Sequence, residues 1–257
     1  RVGIHMIGRH YVLTGASSGL GKSILHILLQ KQVYVTALVR DVNKLKPLQL
    51  KYGSSHLKII QCDLQSTSQI VQLSNHFKGQ SIDGIIYSSG LGYFKSINQH
   101  TIEEMQETYM LNVISFNSLL TTLQPHFSRM PTIVGIGSQS AFLTQASAAH
   151  YGASKAAFNQ VLNALRIEKP NYHVLTVNTG PIATPFHEKA DPSLTYSKKY
   201  KKIMLNSDKL AQRIVNAIIT QKEEINAPSW LHHLLRIYQL APRFIEKHFT
   251  FLFNNKS

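Results

Sequence analysis

The sequence predicts an α/β fold: a doubly wound parallel sheet of about seven strands with helices on both faces, followed by a C-terminal helical tail. A glycine-rich stretch, residues 14–21, lies between a short apolar run and a segment whose apolar residues have helical spacing. Downstream, short runs rich in β-branched residues alternate with helical segments. This alternation is typical of parallel strands joined by helices.

The predicted elements follow in order along the chain. Apolar and β-branched runs predict strands at residues 11–13, 33–39, 57–61, 82–87, 132–137, 172–178 and 224–228. Helical spacing and breaking residues predict helices at residues 22–29, 42–52, 66–77, 101–127, 151–168 and 207–219. Asp41 is the predicted N-cap of the second helix, and Thr101 with Glu104 caps the fourth. Ser207 or Asp208 is predicted to cap the sixth.

The size and composition set the class of protein. A length of 257 residues and a hydrophobic content of 43% suffice for one large domain with a sizeable core. Cys62 is the only cysteine, which excludes an intrachain disulfide and a cysteine-based metal site. No secretion signal precedes Tyr11, and no apolar run is long enough to cross a bilayer. We therefore expect a cytoplasmic protein without a metal.

The charge is strongly positive, because lysine and arginine outnumber aspartate and glutamate by 27 to 13, a net charge of +14. A phosphorylated cofactor, an acidic carrier protein, an anionic lipid and a nucleic acid would each fit as a negative partner. A charge that only keeps the protein soluble explains it equally well. Since the sequence shows no zinc-ligand pattern and no recognition module, we do not expect a nucleic-acid partner.

The glycine-rich stretch predicts a dinucleotide site, in which Gly15, Gly19 and Gly21 let the backbone turn tightly beside a pyrophosphate held by the helix N-terminus. Arg40, directly after the second strand, suits the 2′-phosphate of NADP better than the free hydroxyl of NAD. Alternatively, Arg40 binds no ligand and only extends its charged group into solvent at the end of the strand. Asp63 follows the third strand and would either accept a hydrogen bond from adenine or cap the local turn.

A candidate catalytic pair lies on the fifth helix, where Tyr151 and Lys155 are one turn apart and face the same side. A free tyrosine has a pKa of about 10, and a nearby ammonium lowers that pKa. A tyrosine tuned in this way can exchange a proton with a carbonyl or alcohol oxygen. Ser138 ends the fifth strand and would hydrogen-bond the same substrate oxygen. The spacing of the pair is common on helices, and its position after Ser138 is what favours a catalytic role.

These motifs resemble the short-chain dehydrogenase/reductase family over roughly residues 9–226. The matching residues occur in the family's order and spacing: Thr14, Gly15, Gly19, Gly21, Asp63, Asn112, Ser138, Tyr151, Lys155, Asn178, Gly180, Ile182 and Thr184. The resemblance implies a Rossmann fold and an NAD(P)-dependent oxidoreductase that acts on CH–OH groups.

The resemblance also implies a catalytic tetrad. Tyr151 would be the acid and base, and Lys155 would lower its pKa and bind the nicotinamide ribose. Ser138 would orient and polarise the substrate carbonyl. Asn112 would distort its helix and hold a water that links Lys155 to solvent.

Cofactor contacts and assembly are implied in the same way. The implied cofactor-binding residues are Gly15, Ser17, Ser18, Gly19, Leu20, Gly21, Arg40, Asp63, Leu64, Ser89, Gly90, Tyr151, Lys155, Gly180, Pro181, Ile182 and Thr184, of which Ile182 and Thr184 would contact the carboxamide. The helices at 101–127 and 151–168 would form the contact of a homodimer or homotetramer.

The chain departs from the family pattern in three places. Residues 87–90 read Tyr-Ser-Ser-Gly where Asn-Asn-Ala-Gly is usual, so serine would replace hydrogen bonds of asparagine. Thr179 stands where proline is usual. Ser17 and Ser18 occupy the glycine loop where many NADP-using members carry a basic residue, so the preference for NADP(H) over NAD(H) depends mostly on Arg40.

The segments expected to choose the substrate are mostly apolar or aromatic. The resemblance places a lid at about 185–206, and pocket walls are expected from residues 91–94 and 140–149 with Phe186 and Tyr196. Such walls suit a lipophilic ketone or alcohol. The lid lysines would recruit an acidic carrier or an anionic headgroup, or they form a solvated, mobile run.

The tail at about 228–257 lies outside the shared motifs and is basic, aromatic-rich and partly amphipathic. It would lie peripherally on an anionic membrane, pack over the pocket, or pack against a partner subunit.

Two functions follow from these observations. The first is an NADP(H)-dependent oxidoreductase that interconverts a ketone or aldehyde with an alcohol on a small-molecule, lipophilic or acyl-type substrate. The second is a non-catalytic scaffold that senses a dinucleotide and acts through partner or membrane contacts. The complete tetrad favours the enzyme, because a sensor does not need all four groups.

Overall fold

The computed structural model describes residues 3–182, 186, 190–193, 198, 201 and 204–254. Its strands are β1 (His10–Thr14), β2 (Tyr34–Val39), β3 (Leu57–Gln61), β4 (Ile82–Tyr87), β5 (Phe127–Ser138), β6 (His173–Thr179) and β7 (Glu224–Ala227). They form one seven-stranded sheet in the order β3-β2-β1-β4-β5-β6-β7, with neighbouring strands parallel. The order reverses direction between β1 and β4, so the predicted doubly wound Rossmann sheet is confirmed.

The helices connect the strands. They are α1 (Gly19–Gln30), α2 (Lys46–Tyr52), α3 (Thr67–Gln72), α4 (Ile102–Tyr109), α5 (Ser115–Leu123), α6 (Ala149–Glu168), α7 (Ser207–Ile219), α8 (Ser229–Leu240) and α9 (Pro242–His248). Short 3₁₀ turns lie at Val42–Lys44, Leu73–Phe77, Ile97–Gln99, Gln124–His126, Gln139–Phe142 and Thr250–Leu252.

Two apolar layers cover the two faces of the sheet. Along β1, Tyr11 and Leu13 pack into the layer that holds the buried faces of α1 and α7. Val12, which points to the other face, packs into the layer that holds α5 and α6. This alternation follows from the period of two along a strand. The strands are buried on both sides, which explains why their sequences are continuously apolar.

The predicted helix at 101–127 is correct at its start and wrong at its end. Thr101 and Glu104 form the predicted capping box. A π-helical turn, Met110–Ile114, interrupts the helix around Asn112 and separates α4 from α5. The chain leaves the helix through a 3₁₀ turn at Gln124–His126, and Phe127 already pairs with Ile82 in the sheet. This pairing is a long-range contact that helical spacing does not reveal.

Two other helix starts show which capping residue the chain uses. Asp41 accepts from the backbone N of Asn43 at 3.0 Å, as predicted, but it caps a 3₁₀ turn before α2 begins at Lys46. The predicted cap of α7 by Ser207 or Asp208 is wrong. Asn206 caps it by accepting from Lys209 N at 2.9 Å. Asp208 instead accepts from the hydroxyl of Ser23 at 2.6 Å, which ties α7 to α1.

Glycine is required in β4 because the sheet and Tyr11 crowd that position. A Cβ on Gly84 would lie 2.0 Å from the carbonyl oxygen of Thr132 and 2.8 Å from the ring of Tyr11. A Cβ on Gly135 would instead lie 2.3 Å from Cδ1 of Leu162, the movable end of a side chain.

We expect Gly84→Ala to lower the free energy of unfolding by about 3 kcal/mol, because backbone must move, and Gly135→Ala to lower it by about 1 kcal/mol. Urea denaturation of the two variants beside the wild type measures both losses. Equal losses, or a larger loss for Gly135→Ala, would contradict this explanation.

Candidate active site

The glycine-rich loop makes a tight turn between β1 and α1. Gly15 and Gly19 have φ values of +67° and +55°, a region that side chains disfavour. A Cβ on Gly21 would lie 2.0 Å from the carbonyl oxygen of Gly15, so this glycine allows α1 to start directly above the loop. A Cβ on Gly15 would lie 2.5 Å from the carbonyl oxygen of Ser88, which comes directly after β4. The loop therefore lies against the carboxyl end of the neighbouring strand.

The N-terminus of α1 is suited to an anion. Ser18 precedes the helix with an extended backbone, and within the described residues no side chain caps the first turn and no acidic residue lies in it. The first N–H groups of a helix have no intrahelical partner, and they carry the positive end of the helix dipole. The loop and helix start thus fit a pyrophosphate, and the cofactor contacts that the resemblance implies for Ser17, Ser18 and Leu20 stay predictions.

A positively charged side chain, Arg40, follows the end of β2. Arg40 is exposed, and its carbonyl oxygen accepts from Nε2 of Gln61 at 3.2 Å. The acid that follows, Asp41, is engaged as a cap. Over the described ranges, no carboxylate forms an ion pair with Arg40. The guanidinium is therefore available to a phosphate, and the contact with a 2′-phosphate that the sequence predicts for Arg40 stays a prediction.

The end of β3 shows one of the two alternatives for Asp63. Its Oδ1 accepts from the backbone N of Gln65 at 2.9 Å, so it caps the local turn. Leu64 is buried, and its carbonyl oxygen accepts from the hydroxyl of Ser115. The adenine contacts that the resemblance implies for Asp63 and Leu64 stay predictions.

Tyr151 and Ser138 meet at the carboxyl end of β5. The Ser138 hydroxyl hydrogen-bonds the Tyr151 phenol and also accepts from the backbone N of Ser140 at 3.0 Å. Both side chains are buried. Burial raises the pKa of Tyr151, and the hydrogen bond from Ser138 lowers it less. The sequence predicted a lowered pKa, and the structure differs because desolvation outweighs the other contributions.

The ammonium of Lys155 lies close to the ring of Tyr151. Its Nζ is 6.0 Å from the centroid of the Tyr151 ring and donates to the carbonyl oxygen of Ile136 at 3.3 Å. Burial lowers the pKa of Lys155 to about 8. A Cβ on Gly90 would lie 3.0 Å from Nζ, so the loop after β4 passes directly over the ammonium. Gly90 thus lies beside Lys155, whereas the hydroxyl of Ser89 lies near Gly15, whose Cβ would be 3.4 Å from it. The cofactor contacts implied for both residues stay predictions.

Asn112 connects this loop to α6. Its Oδ1 accepts from the backbone N of Leu91 at 2.9 Å, and its Nδ2 donates to the Leu91 carbonyl at 2.8 Å and to the Ser154 hydroxyl at 2.9 Å. The predicted distortion of its helix is confirmed by the π-helical turn. The water that Asn112 is implied to hold stays a prediction.

Sequence reasoning missed two residues that support this arrangement. Ser154 anchors Asn112, and its place one helical turn from Tyr151 and beside Lys155 was the available signal. The Tyr87 hydroxyl donates to the carbonyl oxygen of Leu111 at 2.5 Å inside the π-helical turn. Nothing in the local pattern marked Tyr87 for this role, because the contact depends on how α5 packs on β4.

Two aromatic side chains, Phe94 and Phe186, pack beside Tyr151. The ring of Tyr151 lies 5.7 Å from that of Phe94 and 5.5 Å from that of Phe186, centroid to centroid. A Cβ on Gly92 would lie 2.7 Å from the Tyr151 ring. Two predicted wall segments therefore meet at the phenol. The second wall residue from the lid, Tyr196, lies outside the described residues, as do most of the lid and Thr184.

The segment after β6 lies beside β7. Gly180 N donates to the carbonyl oxygen of Ala227 at 2.7 Å, and a Cβ on Gly180 would lie 3.1 Å from Oε1 of Gln139. Leu205 N donates to the Pro181 carbonyl at 2.8 Å, and Ile182 forms an isolated parallel bridge with Leu205. These contacts fix the backbone of 180–182 beside β7 and Leu205. The cofactor contacts that the resemblance implies for Gly180, Pro181 and Ile182 stay predictions.

The tail packs against the loop between Ser138 and Tyr151. Leu235, Tyr238 and Phe253 form a buried cluster with Phe142 and Leu143. This face of α8 therefore packs on residues of the predicted pocket wall, which is one of the three alternatives for the tail. Among the described residues no group of three histidine, cysteine or acidic side chains could hold a metal.

Comparisons with known proteins agree with this geometry. A family model for short chain dehydrogenase matches residues 9–194. A probable short-chain type dehydrogenase/reductase VdlC from Helicobacter pylori is 27% identical over 255 residues, covering 90% of this chain and 92% of that protein.

A Sphingobium yanoikuyae short-chain dehydrogenase in complex with NADPH matches with a TM-score of 0.79 at 20% identity, covering 93% and 95% of the two chains. A Burkholderia phymatum short chain dehydrogenase/reductase in complex with NAD matches with 0.81 at 15% identity, covering 99% and 98%. The two structures show a shared fold.

The buried ammonium of Lys155 makes stability depend on pH. The folded pKa is about 8 against a usual 10.5, so between these values the unfolded chain binds more protons at this residue. The free energy of unfolding therefore rises with pH across that window, and the full cost of the buried charge is present below it. We expect Lys155→Met to be more stable than the wild type at neutral pH by about 1–3 kcal/mol.

Urea denaturation at several pH values measures this effect. The advantage of Lys155→Met should shrink as the pH rises through the window, and the exposed control Lys22→Met should change the free energy of unfolding by less than about 0.5 kcal/mol. An advantage that is absent at neutral pH, or that grows with pH, would contradict it.

Proposed function

The chain belongs to the short-chain dehydrogenase family of oxidoreductases, and we propose that it interconverts a ketone or aldehyde with an alcohol using NADP(H). The observation that carries the proposal is the buried hydrogen bond between Ser138 and Tyr151 at the carboxyl end of the sheet, with Lys155 below the phenol. It lies at the edge of the sheet where the glycine-rich loop and the start of α1 would hold a dinucleotide.

Tyr151 acts as the general acid in reduction. Because burial raises its pKa, the phenol keeps its proton at neutral pH and can donate it to a carbonyl oxygen. Ser138 donates a second hydrogen bond to the same oxygen. Lys155, with a pKa of about 8, is mostly an ammonium at neutral pH and stabilises the phenolate that remains. Oxidation of an alcohol needs the phenolate at the start and is therefore favoured at higher pH.

The cofactor supplies or accepts a hydride when bound. The N-terminus of α1 would hold its pyrophosphate, and the backbone at Ser89 and Gly90 would pass beside its nicotinamide ribose near Lys155. Arg40 would pair with a 2′-phosphate, which supports NADP(H) over NAD(H). The same position in NAD users is acidic, and here the acid is already engaged as a cap.

The substrate is lipophilic or of an acyl type. Phe94 and Phe186 flank the phenol with apolar ring surface, and such walls bind carbon chains or rings rather than polyols. The lid at about 185–206 would close over this side of a single domain that includes the whole chain.

We place the enzyme in the cytoplasm as a homodimer or homotetramer with peripheral membrane contact. The subunit contact would use α4, α5 and α6, and these segments leave Ile102 and Ile167 exposed at 64% and 81%. Exposed isoleucines at a helix surface are suited to burial by a second copy.

The first experiment is a panel of ketones and alcohols assayed with NADPH and NADH by nucleotide absorbance, on wild type and Tyr151→Phe. We expect Tyr151→Phe to lower kcat by about 10²–10⁴-fold, because the proton donor is lost. NADPH affinity, followed by nucleotide fluorescence, should change little, since the phenylalanine ring keeps its contacts with Phe94 and Phe186. Tyr172→Phe is the matched control and should keep its turnover. Near-normal turnover of Tyr151→Phe would reject the mechanism.

The second experiment tests the role of Arg40. We expect Arg40→Ser to lower kcat/KM for NADPH by about tenfold to a hundredfold, because a charge-assisted contact with phosphate is lost. The value for NADH should change much less, and Arg129→Ser, an exposed arginine at the start of β5, should leave both unchanged. Equal losses for the two cofactors would show that Arg40 does not select the phosphate.

A further inference from the structure

An exposed apolar surface lies on the tail. Trp230, Leu234, Ile237, Leu240, Phe244 and Phe251 are each more than half exposed in the structure. We name these six residues the tail surface. Scattered exposed apolar residues are normal on proteins, but a concentration of this kind in one short segment marks an interaction site.

The tail surface is separate from the face of α8 that packs on the protein. Leu231, Leu235 and Tyr238 are spaced i, i+4, i+7 and contact the loop after β5 and Phe253. Trp230, Leu234 and Ile237 have the same spacing one residue earlier, so they form a second stripe along the helix. The first stripe completes the packing of α8, and the second stays more than half exposed among the residues that the structure describes.

The charges around the second stripe are mostly positive. Arg236 and Lys247 lie in the tail, and Glu246, the one carboxylate between 229 and 254, accepts from Tyr238 at 2.5 Å and from Arg243. A cavity of about 370 Å³ between α7, β7 and α8 is lined by Arg213, Lys222 and His233, with Glu224 on its wall. His233 is i+3 from Trp230, so this cavity, with Arg213 and Lys222 in its lining, borders the stripe.

We propose that the tail surface docks on an anionic phospholipid bilayer and lies in its interface. Segments that bind in the interfacial region of a bilayer typically combine Trp and Phe side chains with lysine and arginine. Each cation near such a surface adds attraction, and the net charge of +14 acts in the same direction. Of the helices that the structure describes, none is long and apolar enough to cross the bilayer, which agrees with a surface position.

A second copy of the chain is the weaker candidate for this surface. A two-fold contact sets a patch against its own copy, so the cations in the patch of one copy would face a patch that carries the same cations. Like charges brought together in this way oppose association. An anionic bilayer instead neutralises them.

Docking at this surface would place the site entrance at the membrane. Phe253 accepts from the backbone N of Ala146 at 2.8 Å, and Gln239 donates to the Phe142 carbonyl at 3.4 Å. The loop that these contacts hold runs from Ser138 to Tyr151. If the proposed function holds, the substrate class is therefore a carbonyl or alcohol that is dissolved in the bilayer.

The test uses Trp230, the only tryptophan of the chain, as a probe. The full-length protein is mixed with vesicles of phosphatidylcholine alone or with phosphatidylglycerol added. We expect the emission of Trp230 to shift to shorter wavelength with the anionic vesicles and to be quenched by brominated phosphatidylcholine within them. The shift should be smaller with phosphatidylcholine alone and should weaken as salt is added.

A matched pair of leucines provides the control. Leu240 in the tail is 85% exposed and Leu50 on α2 is 87% exposed. We expect Leu234→Ser/Leu240→Ser to lower the vesicle partition coefficient by about tenfold or more, because apolar area is lost from the interface. Leu50→Ser should partition as the wild type does, and thermal unfolding checks that the variants are folded.

Three results would overturn the docking proposal. They are emission that vesicles leave unchanged, equal loss of partitioning in the tail and control variants, and a blue shift that appears without lipid as protein concentration rises. The last would assign the surface to a second copy. Turnover of a water-soluble ketone without vesicles is measured in parallel. Turnover without docking rejects only the membrane proposal, and docking without turnover rejects only the proposed reaction.

Discussion

Asn112 hydrogen-bonds both backbone groups of Leu91, and these two contacts hold the loop after β4 against α6. The fit leaves no room for side chains, because a Cβ on Gly90 would approach the Lys155 ammonium and one on Gly92 would approach the Tyr151 ring. Asn112 can reach the loop because it lies in a π-helical turn, which Tyr87 supports from the sheet. The rest of the site depends on these contacts of Asn112, since they hold the loop over Tyr151 and Lys155, the two buried titratable groups that would carry the chemistry.

Burial acts on both groups in the direction of their neutral forms. It raises the pKa of the Tyr151 phenol and lowers that of the Lys155 ammonium. A neutral phenol beside a lysine that still carries its proton at neutral pH is a donor arrangement, which suits reduction of a carbonyl. The hydrogen bond from Ser138 opposes the effect of burial on Tyr151, so it also limits how strongly the phenol holds its proton. Proton donation and protein stability are therefore linked through the same buried space.

The features that sequence predicted well are local ones. The strands β3 and β4 were predicted to the residue, and the Thr101–Glu104 box and the Asp41 cap needed only neighbouring residues. The features it missed depend on distant contacts. The end of the helix at 101–127 is set by pairing of Phe127 with Ile82, and Asp208 is drawn from a capping role by Ser23 on α1. The direction of the Tyr151 pKa shift was wrong for the same reason, because the spacing to Lys155 shows a charge but not how deeply the phenol is buried.

The loop from Ser138 to Tyr151 begins and ends at the two residues proposed for proton transfer, and the tail holds it along its length. Gln139 donates to the Pro228 carbonyl at 3.0 Å, just before α8, and Phe253 accepts from Ala146 beyond it. Loops that carry binding residues need a rigid scaffold to position them. Here part of that scaffold is a segment outside the sheet. The family model ends at residue 194, before the tail. The residues proposed for the chemistry therefore lie in the matched part of the chain, whereas the loop between them is held in part by a segment beyond it.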